Sequence, residues 1–207
     1  WEANMRMVDT KNVYEDRLIA SKVKGYQDSQ DKELNIKIGK TNTKMDSRKK
    51  TVRTTEAAIG NLIADAMRDG VNADIGFANG GGIRANRIYE SGTTLTRKDI
   101  LSELPFGNVV VKLELTGAQI WEALENGVSQ VENGAGRFPQ VSGMSFVYNA
   151  KAKAGSRIVS VKIAGKALNK NRKYTVATND YAANGGDGYK VFKKGKVIID
   201  ASGATLM

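Results

Sequence analysis

The chain has 207 residues, 41% of them apolar, and a net charge of +10 from 32 Lys and Arg against 22 Asp and Glu. It contains no cysteine and no histidine. Disulfides, thiolate catalysis and Cys-ligated metals are therefore excluded. The commonest general base and transition-metal ligand is also missing, so any hydrolysis would rest on carboxylates, lysines or hydroxyls. The length suits one large domain, or one domain with an extra element. No stretch approaches the ~18 apolar residues of a membrane span, so no span is expected. The chain begins at Trp1 without an initiator Met or a visible signal, and a fragment or processed product is expected. A basic surface favours anionic partners such as nucleotides, nucleic acid, or teichoic and lipid phosphates. Its charge is concentrated in Lys44 to Arg53 and Lys190 to Lys196. Most of these cations read as a solvated face. No RNA-recognition signature, zinc finger or basic zipper is present, so no specific nucleic-acid binding is expected.

Residues 1 to about 30 read as a lead-in. Leu18, Ile19, Lys22, Val23 and Tyr26 recur at helical spacing, with apolar groups on one side. Such a helix either connects to something upstream or docks on the domain. Leu34 to Gly39 alternates with period two, the pattern of a half-buried strand. A polar, basic loop follows from Lys40 to Lys50. Thr54 and Thr55 offer N-caps, and Glu56 suits the positive start of a helix. Ile59, Leu62, Ile63, Ala66 and Met67 then form one apolar stripe ending at Gly70. Ala73 to Ala78 is short and apolar enough for a buried strand, and it leads into Asn79-Gly80-Gly81-Gly82-Ile83-Arg84. The glycines leave the backbone bare and approachable, and the planar fork of Arg84 suits a phosphate or a ribose oxygen. This is either a binding loop or a tight turn with an incidental arginine.

Thr96 to Asp99 opens a second helix, with Ile100, Leu101 and Leu104 inward, and Pro105 stops it. Phe106-Gly107-Asn108 precedes a strand from Val109 to Leu115. Thr116 and Gln119 match a capping box before a helix carrying Ile120, Trp121, Leu124 and Val128. A glycine-rich loop, Asn133 to Gly136, leads to Phe138-Pro139-Gln140. The last third reads mostly as strand: Met144–Tyr148, Ile158–Ile163 with a turn at Ala164-Gly165-Lys166, Tyr174–Thr178 and Val197–Ile199. A second bare loop runs from Tyr181 to Gly188. Helices and strands alternate without a steady βαβ rhythm. The expected class is α+β, a mixed sheet with packed helices.

Beside the bare loops stand Asn79, Arg84, Phe106, Asn108, Tyr181 and Asp187. Such a set can hold a nucleoside, with aromatic faces for the base and a carboxylate for vicinal ribose hydroxyls. The plain alternatives are Phe106 as core behind its proline, Tyr181 as a capping aromatic and Asp187 as a turn former. Trp121 reads as core, and Asp65 and Asp74 as carboxylates without a role.

Asn79-Gly-Gly-Gly-Ile-Arg84, Leu104-Pro-Phe-Gly-Asn108 and Asn184-Gly-Gly-Asp-Gly188, in this order, resemble the C-terminal domain of the 5′-nucleotidase family, which includes UDP-sugar hydrolases. Asn61 to Met67 is similar to that family's first helix, and Arg53 stands just upstream of it. The resemblance covers Leu34 to Ile199. It implies residues 1–32 as an interdomain linker helix region and 33–207 as the substrate-binding domain. It also implies a separate N-terminal metallophosphoesterase domain in the same chain, holding two divalent metal ions and an Asp-His catalytic pair. No cofactor and no catalytic residue is expected within the present chain. By the same resemblance, Phe106 and Tyr181 would sandwich a base, with Tyr181 where the family often has Phe. Asn108 or Asn79 would meet the base edge, and Asp187 would bind ribose hydroxyls. Arg53 and Arg84 would bind ribose or phosphate oxygens, Gly136 would line the pocket, and Lys49 stands where some relatives have another arginine. The implied parent is an extracellular, cell-wall-attached or periplasmic hydrolase of nucleoside 5′-phosphates. The alternatives are the same domain in a 2′,3′-cyclic-nucleotide phosphodiesterase with 3′-nucleotidase activity, a non-catalytic surface module, or an unrelated basic nucleic-acid-binding domain.

Overall fold

The computed structural model describes residue 11 and residues 13–200; residues 1–10 and 12 of the expected linker region, and the tail 201–207, lie outside the described residues. In chain order the elements are α1 (Arg17–Leu34), β1 (Lys37–Lys40), β2 (Met45–Asp46), α2 (Lys49–Val52), α3 (Ala58–Gly70), β3 (Ile75–Asn79), β4 (Ile88–Tyr89), β5 (Thr94–Thr96) and α4 (Arg97–Glu103). They continue with β6 (Val110–Thr116), α5 (Gly117–Val128), β7 (Pro139–Ser142), β8 (Met144–Tyr148), β9 (Ile158–Ile163), β10 (Lys166–Ala167), β11 (Lys173–Asn179), α6 (Asp180–Ala183) and β12 (Lys196–Ile199).

Asp16 starts α1, its carboxylate accepting from the Leu18 and Ile19 amides at 2.9 and 3.1 Å. The apolar stripe of α1 faces solvent: Leu18, Ile19, Val23 and Tyr26 are all exposed. The helix meets the domain near its C-terminal end, where Lys98 pairs with Asp31 at 3.0 Å. The strand expected from Leu34 begins later, because Leu34 still belongs to α1. β1 pairs with β5 in a two-stranded ribbon and is exposed throughout rather than half-buried. The basic stretch expected as a loop contains β2, which pairs with β4 and buries Met45.

The central sheet has the order β12-β6-β11-β3-β7. β3 and β11 run parallel and the other neighbours antiparallel, the mixed sheet expected of the α+β class. Period-two alternation sends Val111, Leu113 and Leu115 of β6 into one core with Ile120 and Leu124 of α5 and Ile158 and Val161 of β9. β9 belongs to a second, three-stranded antiparallel sheet, β10-β9-β8. The opposite face of the central sheet buries Ala78 and Ala177 against Ile59, Ile63 and Met67 of α3. Each such large apolar side chain contributes about 1.5–3 kcal/mol on burial. The contact is close: a Cβ on Gly76 of β3 would stand 2.1 Å from the Ala64 carbonyl oxygen.

The stripe of α3 is narrower than expected, since Leu62 and Ala66 lie exposed. Neither Thr54 nor Thr55 caps it. Ala57 is the N-cap residue, and its amide donates to the Gln140 side chain at 3.1 Å. The expected capping box Thr116–Gln119 forms, and Thr96 and Asp99, read only as a helix start, form a second. β7 falls in a stretch to which the sequence reading gives no element. Its edge position allows Pro139 to open it.

The topology sets the site. β3 ends at Asn79 and β11 at Asn179, side by side and in the same direction. β6 begins at Val110, opposite Asn179, and β7 at Pro139, opposite Asn79. The loops leaving β3 and β11 and those entering β6 and β7 therefore meet at one sheet edge. Ligands of mixed α/β sheets gather at such carboxyl ends of parallel strands.

Candidate functional site

At that edge lies a cavity of about 400 Å³ lined by Arg53, Asn79, Gly81, Gly82, Arg84, Phe106, Asn108, Gly136, Tyr181 and Asp187. The eight residues singled out from the sequence all contribute. The volume is that of a small-ligand pocket, ~300–1,000 Å³. Lys49 is not among the lining residues; it opens α2, its amide donating to the Asn86 side chain at 2.9 Å.

The floor is made of bare backbone. Gly81 N–H donates to the Gly136 carbonyl at 2.7 Å, and Gly80 N–H to the Phe138 carbonyl at 2.7 Å. A Cβ on Gly81 would come within 2.8 Å of Gly136 Cα and 3.3 Å of the Asp187 carboxylate. These two glycines let the loops press together with Asp187 beside them. The turn at Gly80–Gly82 is thus an internal junction, not a free surface turn.

Asp187 takes a left-handed conformation, φ 52° and ψ 19°, unusual for a residue with a side chain. Asn79 Nδ2 donates to its carboxylate at 2.7 Å, and the Tyr181 hydroxyl donates at 3.3 Å. Asp187 N–H donates back to that hydroxyl at 3.2 Å, and Asn126 donates to its carbonyl at 3.2 Å. Asn79 is itself buried, and its Oδ1 accepts from Asn179 at 2.9 Å. Both polar ends of Asn79 are engaged within the protein. Asn108, in contrast, donates one amide hydrogen to Asp180 at 2.7 Å and is only partly buried.

Outside the segment of Tyr14 and Tyr26, the exposed aromatics among the described residues are Phe106 (59%) and Tyr181 (48%). Both line the cavity, so neither is core. The Arg84 guanidinium lies 5.3 Å from the Phe106 ring centroid, a cation–π distance. Its Nη1 also donates to the Gly81 carbonyl at 3.3 Å. Arg53 caps the C-terminus of α2, and its buried Nε has no partner within the protein. Burial, then the nearby Arg84, holds its guanidinium below the ordinary arginine value, while Asp187 opposes the shift. Two like charges beside an unpartnered donor favour an anionic or oxygen-rich ligand.

The residues that sequence reasoning missed stand behind the pocket. Gln140 fastens the segment bearing Arg53, Asn179 stands behind Asn79, and buried Glu103 holds the Arg84 loop. The Glu103 carbonyl accepts from Arg84 N–H at 2.9 Å and its carboxylate from Ala85 N–H at 3.2 Å. None lies within a glycine motif. Trp121 is partly buried and packs against the core, with Lys170 over its ring at 4.3 Å. Asp74 holds Thr175 at 2.7 and 2.8 Å, and Asp65 accepts from Ser142.

Among the described residues, no group of three or more acidic, His or Cys side chains is placed to hold a metal ion. The donor set among the described residues does not fit a dimetal centre.

The model of the family described as 5′-nucleotidase, C-terminal domain, matches residues 37–194. The trifunctional nucleotide phosphoesterase protein YfkN of Bacillus subtilis is 43% identical over an alignment of 167 residues that covers 76% of this chain and 11% of that protein. Protein UshA of Escherichia coli is 34% identical over 191 residues, covering 91% of this chain and 33% of UshA. The chain thus spans a third or less of the length of these two relatives. The crystal structure of a 5′-nucleotidase precursor from Thermus thermophilus superposes with a TM-score of 0.82 at 34% identity, over 93% of this chain and 39% of that one. On its sequence, its fold and its matched residues, the chain belongs to the family of 5′-nucleotidase C-terminal domains.

Proposed function

We propose that this chain is the nucleoside-binding domain of a longer, metal-dependent 5′-nucleotidase, with α1 as the connector to a catalytic domain that supplies the two metal ions. One observation carries the reading: two exposed aromatic rings, a carboxylate and two arginines line a single cavity. Phe106 and Tyr181 take the base between them. Asp187 accepts from ribose hydroxyls. Arg53 and Arg84 take ribose or phosphate oxygens. Asn108 is favoured over Asn79 for the base edge, because both ends of the Asn79 amide are already hydrogen-bonded. The parent enzyme acts outside the cytoplasm in this reading, released, wall-attached or periplasmic. A second reading keeps the domain and changes the parent's ester. The YfkN relative bears the name of a trifunctional nucleotide phosphoesterase, a name that implies more than one ester, and the parent of this second reading cleaves 2′,3′-cyclic nucleotides and 3′-nucleotides.

Titration of adenosine and AMP into the chain, followed by amide NMR, tests the reading. Shifts are expected at 79–84, 106–108 and 181–187. Their absence at several millimolar ligand, both in this chain and in one extended by its upstream domain, would overturn it. Phe106→Ala and Tyr181→Ala are each expected to weaken adenosine binding about tenfold, since stacking contributes ~1–3 kcal/mol per base. Unchanged dissociation constants in both variants would remove the stacking model. Added Mg²⁺, Mn²⁺ or Zn²⁺ is expected to give no release of phosphate from AMP by this chain; turnover by pure protein would contradict the two-domain reading.

A further inference from the structure

We infer that Asn179, which does not line the cavity, is the positioning residue that sets both the ribose-binding carboxylate and one wall of the base site; this rests on the nucleoside-binding reading above. Asn179 ends β11 and is 5% exposed. Its Oδ1 accepts from Ala182 N–H at 2.8 Å, capping α6, the short helix that carries Tyr181. Its Nδ2 donates to Asn79 Oδ1 at 2.9 Å. That bond fixes which way the Asn79 amide faces, so that Asn79 Nδ2 donates to Asp187 at 2.7 Å. The Tyr181 hydroxyl closes the circuit on Asp187 from the other side.

The circuit needs an acceptor and a donor on one short side chain. Asparagine supplies both; aspartate loses the donor, and the serine hydroxyl, donor and acceptor in one, is too short to bridge the Ala182 amide and Asn79. With aspartate, the cap on α6 survives, because a carboxylate accepts as an amide oxygen does. The donor to Asn79 is lost. Asn79 then satisfies the new acid by turning its NH₂ toward it, which aims its oxygen at the Asp187 carboxylate. The bond orienting Asp187 becomes a repulsion, while the helix bearing Tyr181 stays capped.

The test is the affinity of the full chain for adenosine and for 2′-deoxyadenosine, by calorimetry or NMR, in wild type, Asn179→Asp and Asn179→Ser. Serine keeps a cap but is too short to carry the relay, so it serves should the aspartate variant fold poorly. Wild type is expected to favour the ribonucleoside. In both variants adenosine affinity is expected to fall roughly tenfold, the scale of one hydrogen bond to a charged group, while 2′-deoxyadenosine, which offers the carboxylate only its 3′-hydroxyl, loses clearly less. A purely structural role would lower both affinities by the same factor, and that outcome overturns the inference, as does a ribose preference retained in full by folded variants. A wild type that binds adenosine without preferring it over the deoxy form would instead remove the assignment of Asp187 to ribose, before Asn179 enters.

Discussion

Gln140→Leu is expected to destabilise the chain by about 2–4 kcal/mol, read as a lower urea midpoint with an unchanged slope. Gln140 is 1% exposed. Its Oε1 accepts from Ala57 N–H at 3.1 Å, and its Nε2 donates to the Val52 and Thr55 carbonyls at 3.0 and 2.8 Å. Leucine has nearly the same volume and fills the site, so packing loss is small and the polar loss dominates. A buried amide and a buried carbonyl are left without partners, each costing about 1–3 kcal/mol. That is a large part of a typical stability of ~5–15 kcal/mol. Gly60 has no side chain to take up the slack, for a Cβ there would stand 2.2 Å from the glutamine. The segment released, 52–57, carries Arg53 into the pocket and opens α3. Nucleotide affinity is therefore expected to fall with stability. A midpoint shift worth less than ~0.5 kcal/mol would mean that water replaces the amide there.

Gln140 also shows where a single sequence stops being legible. The motif residues could be read because each chemical group lies within a short local string whose glycines announce a close approach. Asn79, Arg84, Phe106, Asn108, Tyr181 and Asp187 come from three such strings, and strand topology gathers them at one edge. The helix α5 was legible for the same reason, since its capping box is local. The start of α3 was not, because its N-cap is Ala57, whose amide is held by the distant Gln140, rather than Thr54 or Thr55. Asn179 reads as the last residue of a strand until β3 is known to lie beside β11. The apolar stripe of α1 was visible as periodicity, but periodicity carries no information on what covers it, and within the described residues the stripe faces solvent. β1 likewise alternates yet lies in an exposed ribbon.

Asp187→Gly is expected to separate binding from stability. In the left-handed region an L-residue costs roughly 1–2 kcal/mol that glycine does not, and Asp187 sits there at φ 52°. Glycine relieves this strain and forfeits the 2.7 Å bond from Asn79. Asn79 lines the cavity, so water reaches the freed donor and limits the loss. The net stability change is expected to stay below about 2 kcal/mol. Adenosine affinity, by contrast, is expected to fall ten- to a hundredfold, as bonds to an ionised group contribute ~1.5–3 kcal/mol, and the preference over 2′-deoxyadenosine is expected to vanish. A residue kept in a strained conformation that glycine would relax, at the mouth of a cavity, is retained for what its side chain holds. If the glycine variant binds adenosine as wild type does, the carboxylate serves the loop alone and the ribose lies elsewhere in the pocket. If it loses both stability and affinity in equal measure, the circuit through Asn79 and Tyr181 is what holds the 181–188 loop in place.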